Sequence, residues 1–188
     1  VGRNRALGRL LVATQEKTPE AFANAESSIR ESQKLEPDSW IPYWMEGRLR
    51  LLDRDRQETP EKQDAQTAAA IAAFARAAAI DKKAAVPRFE LYQAAKLSQD
   101  EKLVRQGQVA LQEAYLLAPA NLFIALDWLE VAADTRNETF PQVVDAFLQT
   151  IKPLAAGIKR RARVDVAQFI GQAVRQAVME AALALASE

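Results

Sequence analysis

The chain contains neither cysteine nor histidine among its 188 residues. This excludes disulfide bridges, zinc fingers, haem ligation through histidine and every Ser-His or Cys-His catalytic arrangement. Glycine and proline are sparse as well, with six and eight residues. Because good helix formers, above all alanine, fill the sequence in place of β-branched runs, the composition predicts an all-α protein.

Neither sign of charge predominates, since 25 basic residues balance 25 acidic ones. We therefore expect no nucleic-acid partner, because phosphate neutralisation needs a net basic face. No apolar run reaches the ~18 residues of a membrane-spanning helix, so no transmembrane segment is expected either. Since the sequence starts with Val1 and residues 1–17 lack a signal-peptide pattern, we expect it to be a fragment or a processed form.

Hydrophobic periodicity and turn residues divide the chain into helices. Thr18 followed by Pro19 is typical of a helix start, and Ser39 is predicted to cap the helix after it. The predicted helices cover residues 5–16, 20–35, 40–51, 66–80, 86–97, 102–117, 122–133, 141–150 and 159–186.

One segment, residues 53–65, is charged and lacks a hydrophobic period. We interpret it as an inserted surface loop between two helices. Loops of this length are uncommon in compact domains and are often functional, although a surface insertion is also well tolerated without a function.

A pattern of small, apolar and small residues recurs roughly every 34 to 45 residues and ends in a turn. A repeat of this period is typical of a solenoid of helical hairpins, and such solenoids bind other proteins more often than they catalyse reactions. The three occurrences are Ala25, Ile29, Ser32 with Pro37; Ala70, Phe74, Ala77 with Lys82; and Gly107, Leu111, Ala114 with Pro119.

These residues resemble the tetratricopeptide repeat family, whose second helix carries Ala-x3-Phe-x2-Ala before a closing proline. Ala70, Phe74 and Ala77 match that triad in full. The residues at the first-helix aromatic, glycine and leucine places are Tyr43, Gly47 and Leu91, and Pro37 and Pro119 stand at the closing proline. Departures are Glu46 at a leucine place, Tyr92 and Leu129 at glycine places, and Lys82 at a closing proline.

The resemblance implies a right-handed superhelical solenoid of antiparallel helix hairpins. Three hairpins match moderately and a fourth, residues 122–153, is degenerate. We expect residues 1–158 to form this array, and residues 159–188 to form a long C-terminal helix that caps it. An unrelated α-helical bundle with alanine-rich packing is the alternative fold.

In this family the first helices of successive hairpins line a concave groove. By position, that implies a partner-binding surface of Trp44, Arg48, Phe89, Gln93, Lys96, Phe123 and Glu130, with Leu10, Thr14 and Leu126 also facing inward. The apolar places disfavour capture of a C-terminal carboxylate and favour an amphipathic helix or an extended hydrophobic segment. Alternatively, the aromatic residues belong to the core between hairpins, or the C-terminal helix itself fills the groove.

The sequence therefore favours a non-catalytic scaffold or adaptor whose concave groove binds a partner's polypeptide. The first alternative is an obligate structural subunit of a larger complex. The second is an enzyme that uses a carboxylate such as Glu113 or Glu130 on a superhelical scaffold. No glycine-rich phosphate loop or metal-ligand spacing occurs, so no cofactor is expected. The repeat style gives a slight preference for a bacterial periplasm or cell envelope.

Overall fold

The computed structural model of the chain describes residues 2–135, 141–142 and 144–149. In that part of the chain every regular element is an α-helix, which confirms the all-α prediction. The helices of residues 2–135 are α1 (Gly2–Glu16), α2 (Pro19–Leu35), α3 (Ile41–Arg54), α4 (Pro60–Ile80), α5 (Ala85–Ala95), α6 (Glu101–Leu117) and α7 (Leu122–Asp134). The predicted C-terminal helix, residues 159–188, lies outside the described residues.

Polar caps and prolines set several of the helix starts. The Thr18 side chain accepts a hydrogen bond from the Ala21 N–H at 3.2 Å, as predicted, and Pro19 is the first helical residue. Ser39 does not cap α3, because the N-cap position falls on Trp40, which already has helical dihedral angles. Pro42 in the first turn needs no capping partner, since proline has no N–H group to satisfy.

The predicted insertion at residues 53–65 is wrong in extent. Helix α3 continues to Arg54 and α4 begins at Pro60, so the connection is only residues 55–59. The Thr59 side chain accepts from the Lys62 N–H at 3.4 Å, and Glu61 in the first turn complements the helix dipole. A capped helix start needs no apolar face, which explains why hydrophobic periodicity did not detect it.

The chain divides into two compact units, residues 1–117 and 118–188. In the first unit each helix packs against the next one along the chain, and α1 also packs against α3. The members of the three small-apolar-small triads are all buried, which is the packing role that the sequence predicted for them. Ala77 and Ala114 are completely inaccessible to solvent.

The first unit contains two apolar clusters. One joins α1, α2 and α3 through residues such as Leu10, Ile29 and Met45. The other joins α4, α5 and α6 around Phe74 and Leu91. Leu10 was expected to face the groove but is buried in the first cluster, because α1 and α3 pack on each other as well as on α2.

Gly47 of α3 is required by close packing. A Cβ atom at this position would lie 2.5 Å from a ring carbon of Phe74, a residue of α4 that is completely buried. Carbon atoms pack no closer than about 3.5 Å, so no larger residue fits without displacement of the ring. Gly47 and Phe74 therefore form a close contact between α3 and α4.

The second unit contains α7. The Asn121 side chain caps it by accepting from the N–H groups of Phe123 and Ile124 at 3.1 and 3.4 Å. One face of the helix is buried, whereas Phe123 and Glu130 are exposed. The amphipathic pattern thus gives α7 one packed face and one solvent face.

Replacing Ala77 with leucine should lower the free energy of unfolding by about 1–3 kcal/mol, because the added carbons overpack a site with no free volume. Urea denaturation followed by circular dichroism measures this change. Ala72→Leu is the matched control, since Ala72 lies in the same helix but is exposed. Equal free energies of unfolding for Ala77→Leu and Ala72→Leu would contradict the close packing at Ala77.

Candidate protein-binding surfaces

The seven residues predicted to bind a partner fall in both units. Trp44 and Arg48 lie in α3, Phe89 and Gln93 lie in α5, and Lys96 directly follows α5, all in the first unit. Phe123 and Glu130 lie in α7 of the second unit. The first unit therefore supplies five of the predicted residues from its third and fifth helices.

Arg48 connects these two helices. Its Nη1 atom donates to both carboxylate oxygens of Glu90, at 3.2 and 3.4 Å. The Arg48 side chain is 46% exposed and that of Glu90 18%. An ion pair this exposed contributes at most about 1 kcal/mol, so its significance is geometric: it is a side-chain contact between α3 and α5.

Trp44 has a larger share in packing than the other predicted residues. Its half-buried ring packs against both apolar clusters of the first unit. Trp40 meets it edge-on, with ring centroids 6.5 Å apart. The buried Trp44 Nε1 has no hydrogen-bond partner within the described residues. The geometry is that of a residue between hairpins, the alternative considered for it in the sequence.

Phe89, Gln93 and Lys96 form a stripe along α5. Their spacing of four and three residues puts them on one face of the helix. Phe89 and Gln93 are half-buried and Lys96 is exposed, with its ammonium nitrogen 5.2 Å from the centre of the Tyr92 ring. Together with Arg48 and Glu90, these three residues define what we call the α3–α5 face.

Phe123 and Glu130 form part of a separate stripe. Phe123 is 75% exposed, and Leu126 and Glu130 follow it on the same exposed side of α7. An aromatic ring that exposed on a helix is unusual for a residue with only a packing role. The solvent face of the second unit thus combines apolar and acidic side chains.

The structure also contains an apolar groove that the sequence did not predict. The α4–α6 groove has a volume of about 560 Å³ and runs between α4 and α6, with α5 beneath. It is lined by Ala75, Ala78, Ala79, Lys82, Arg88, Leu91, Gln106, Val109, Ala110, Glu113, Leu116 and Leu117. Val109 and Leu116 are 57% and 71% exposed, although both are large apolar residues.

A buried arginine holds one end of this groove. The Arg88 Nε atom donates to Glu113 at 2.9 Å, and Nη1 donates to the carbonyl oxygens of Ala84 and Asp81 at 2.8 and 3.2 Å. Arg88 is only 8% exposed, so these bonds compensate the loss of its hydration. It joins the end of α4, the start of α5 and the last turns of α6.

The signal for the groove was present in α6. Gly107, Leu111 and Ala114 account for the packed stripe of that helix, yet Val109 and Leu116 lie outside it. Two apolar residues on a second face are more than packing of one face requires. The family resemblance predicts binding by the first helices of the hairpins, and α4 and α6 are not among them.

The described residues contain no group of three or more acidic side chains placed to hold a metal ion. Within the same residues no helix combines the length and the apolar character needed to cross a membrane.

Burial raises the pKa of the Tyr115 hydroxyl in α6 above its ordinary value. Glu113, one of the two carboxylates considered for catalysis, is bound to Arg88.

Replacing Arg88 with methionine should lower the free energy of unfolding by about 1–3 kcal/mol, because the Ala84 carbonyl loses the Arg88 donor and the Asp81 carbonyl keeps only the Ala84 N–H. Glu113→Gln should cost less than about 1 kcal/mol, since that side chain is 55% exposed and keeps an acceptor oxygen. Chemical denaturation of both variants tests this order, and a larger effect for Glu113→Gln would contradict it.

Comparison with protein-family models, with curated proteins and with solved structures found no match to this chain. The function is therefore inferred from the two surfaces of the first unit and from the exposed stripe of α7.

Proposed function

We propose that the chain is a tetratricopeptide-like array of helix hairpins that binds a helix or an extended segment of a partner protein. The binding surface is the α3–α5 face, which in such an array lines the concave side of a right-handed superhelix. Its role is that of a non-catalytic scaffold or adaptor.

The single observation that carries this proposal is the contact between Arg48 and Glu90. In a hairpin array the first helices of successive hairpins form a continuous row, and α3 and α5 are those helices in the second and third hairpins. A side-chain contact between them is what a shared binding surface requires. The Gly47–Phe74 contact supports the same repeat interpretation, because it joins two positions of the family pattern.

The composition of the α3–α5 face supports a polypeptide as its ligand. Phe89 offers a partly exposed aromatic ring, Gln93 an amide, and Arg48 and Lys96 exposed cationic groups. Aromatic and arginine side chains contribute most to protein interfaces, and neighbouring polar groups fix the register of the partner. Carboxylate groups of a bound segment would pair with the exposed ammonium group of Lys96.

The exposed apolar residues of α6 favour a second candidate function, that of an obligate subunit of a complex. Val109, Leu116 and Leu117 are each at least 41% exposed and lie on the same helix. Apolar side chains concentrated in this way are typical of surfaces that a partner covers. This function uses α4 and α6, whereas the scaffold function uses α3 and α5.

Selection of random peptides on the wild-type chain tests the proposed function. We expect selected peptides to lose about tenfold or more in affinity, measured by fluorescence anisotropy, when Phe89 is replaced with alanine or Lys96 with glutamate. Lys102→Glu is the matched control, because Lys102 is an exposed lysine at the start of α6. Peptides that bind all four proteins equally would contradict binding on the α3–α5 face.

A further inference from the structure

The α4–α6 groove has the length of a short docked helix. Its residues on α4 run from Ala75 to Ala79, Lys82 follows in the turn after α4, and those on α6 run from Gln106 to Leu117. At 1.5 Å per residue these stretches extend roughly 6 and 16 Å, so the longer wall, on α6, spans about three helical turns. Three alanines form the α4 wall, so a helix backbone can approach it closely, while Val109 and Leu116 project from the α6 wall.

The two walls run in the same direction. Arg88, near the start of α5, contacts Asp81 at the end of α4 and Glu113 in the last turns of α6. A Cβ atom on Gly107, near the start of α6, would collide with Ala95 at the end of α5. Helix α5 is therefore antiparallel to both walls, and α4 and α6 end at the same end of the groove.

The net charge at that end is positive, because Asp81 offsets only one of the two lysines that follow it. Glu113 neutralises Arg88 through their ion pair. Lys82 lines the groove and is exposed, and its ammonium group has no ion-pair partner within the described residues. Lys83, the next residue, is exposed as well. At the opposite end the lining residue is the neutral Gln106. The groove is thus apolar along its length and cationic where α4 ends.

We propose that the α4–α6 groove binds an amphipathic helix of a partner protein, with acidic residues in the first turn of that helix beside Lys82. Acidic side chains are favourable at a helix N-terminus. Acidic residues in the first turn of the partner helix would therefore interact both with the dipole of that helix and with the ammonium group of Lys82. The partner helix then runs antiparallel to α4 and α6, and its apolar side chains pack against the alanine wall and Val109. This surface is separate from the α3–α5 face.

Two synthetic helical peptides test the proposal. Both carry leucines at alternating spacings of three and four residues; one has two glutamates in its first turn and the other has two lysines. We expect the glutamate peptide to bind the wild-type chain at least about tenfold more tightly than the lysine peptide. Lys82→Glu should reverse that preference, because it changes only the sign of the charge at the end of the groove.

Variants of the α6 wall test the apolar part. Val109→Glu and Leu116→Glu should each weaken binding of the glutamate peptide by about tenfold or more, because they place a charge in the apolar groove. Leu11→Glu on α1 is the matched control, since Leu11 and Val109 are both 57% exposed. Circular dichroism verifies folding, and Lys96→Glu should leave this peptide's affinity unchanged, which separates the groove from the α3–α5 face.

Three outcomes would overturn the proposal. The first is equal binding of both peptides to wild type and Lys82→Glu. The second is a wild-type dimer in sedimentation that Val109→Glu converts to monomer and that the peptide does not dissociate, because the occupant is then a second copy. The third outcome concerns the variant Leu116→Cys, whose new thiol is unique because the chain contains no cysteine. If this thiol in the monomer does not react with a thiol reagent, the chain covers its own groove.

Discussion

The close approach of α3 and α4 is the constraint on which the first unit depends. Gly47 offers no side chain, and the Phe74 ring occupies the space where one would be. Around this contact α3 shares an apolar cluster with α1 and α2, and Phe74 belongs to the cluster of α4, α5 and α6. The crossing thus joins the two clusters, and Trp44, which packs against both, strengthens the junction. A larger residue at position 47 would separate α3 from α4 and disturb both clusters.

Local sequence features predicted local structure well. The Thr18-Pro19 start and the burial of Ala70, Phe74 and Ala77 follow from short-range chemistry, which is why they could be derived without coordinates. Residues 53–65 could not be interpreted in this way. Their helical parts are stabilised by the Thr59 cap and by a hydrogen bond from Arg54 to Thr67 at 3.1 Å. The bond from Arg54 to Thr67 is a tertiary contact between α3 and α4, and the periodicity of hydrophobic residues does not predict such a contact.

The candidate site shows the same limit. The family pattern predicted Arg48, Phe89 and Gln93 as binding residues, and the structure joins α3 and α5 through Arg48 and Glu90, but the partner of Arg48 was not predictable. Glu90 is an ordinary surface residue in the sequence, and only the fold brings it within reach of Arg48, 42 residues earlier. Likewise, Arg88 and Glu113 are 25 residues apart, and the antiparallel arrangement of α5 and α6 decides that they meet. Long-range pairs of this kind lie beyond what residue spacing can reveal.

Arg88 also has a consequence for how the chain opens. Its guanidinium group hydrogen-bonds to the backbone at Asp81 and Ala84 and to Glu113, so it joins the end of α4 and the start of α5 to α6. Separation of α5 from the ends of α4 and α6 must break these bonds together, which is costly. Backbone amides near the ends of α4 and α6 should therefore exchange with solvent in one concerted event rather than by independent fraying. Through this single side chain we expect α4, α5 and α6 to open as one cooperative unit.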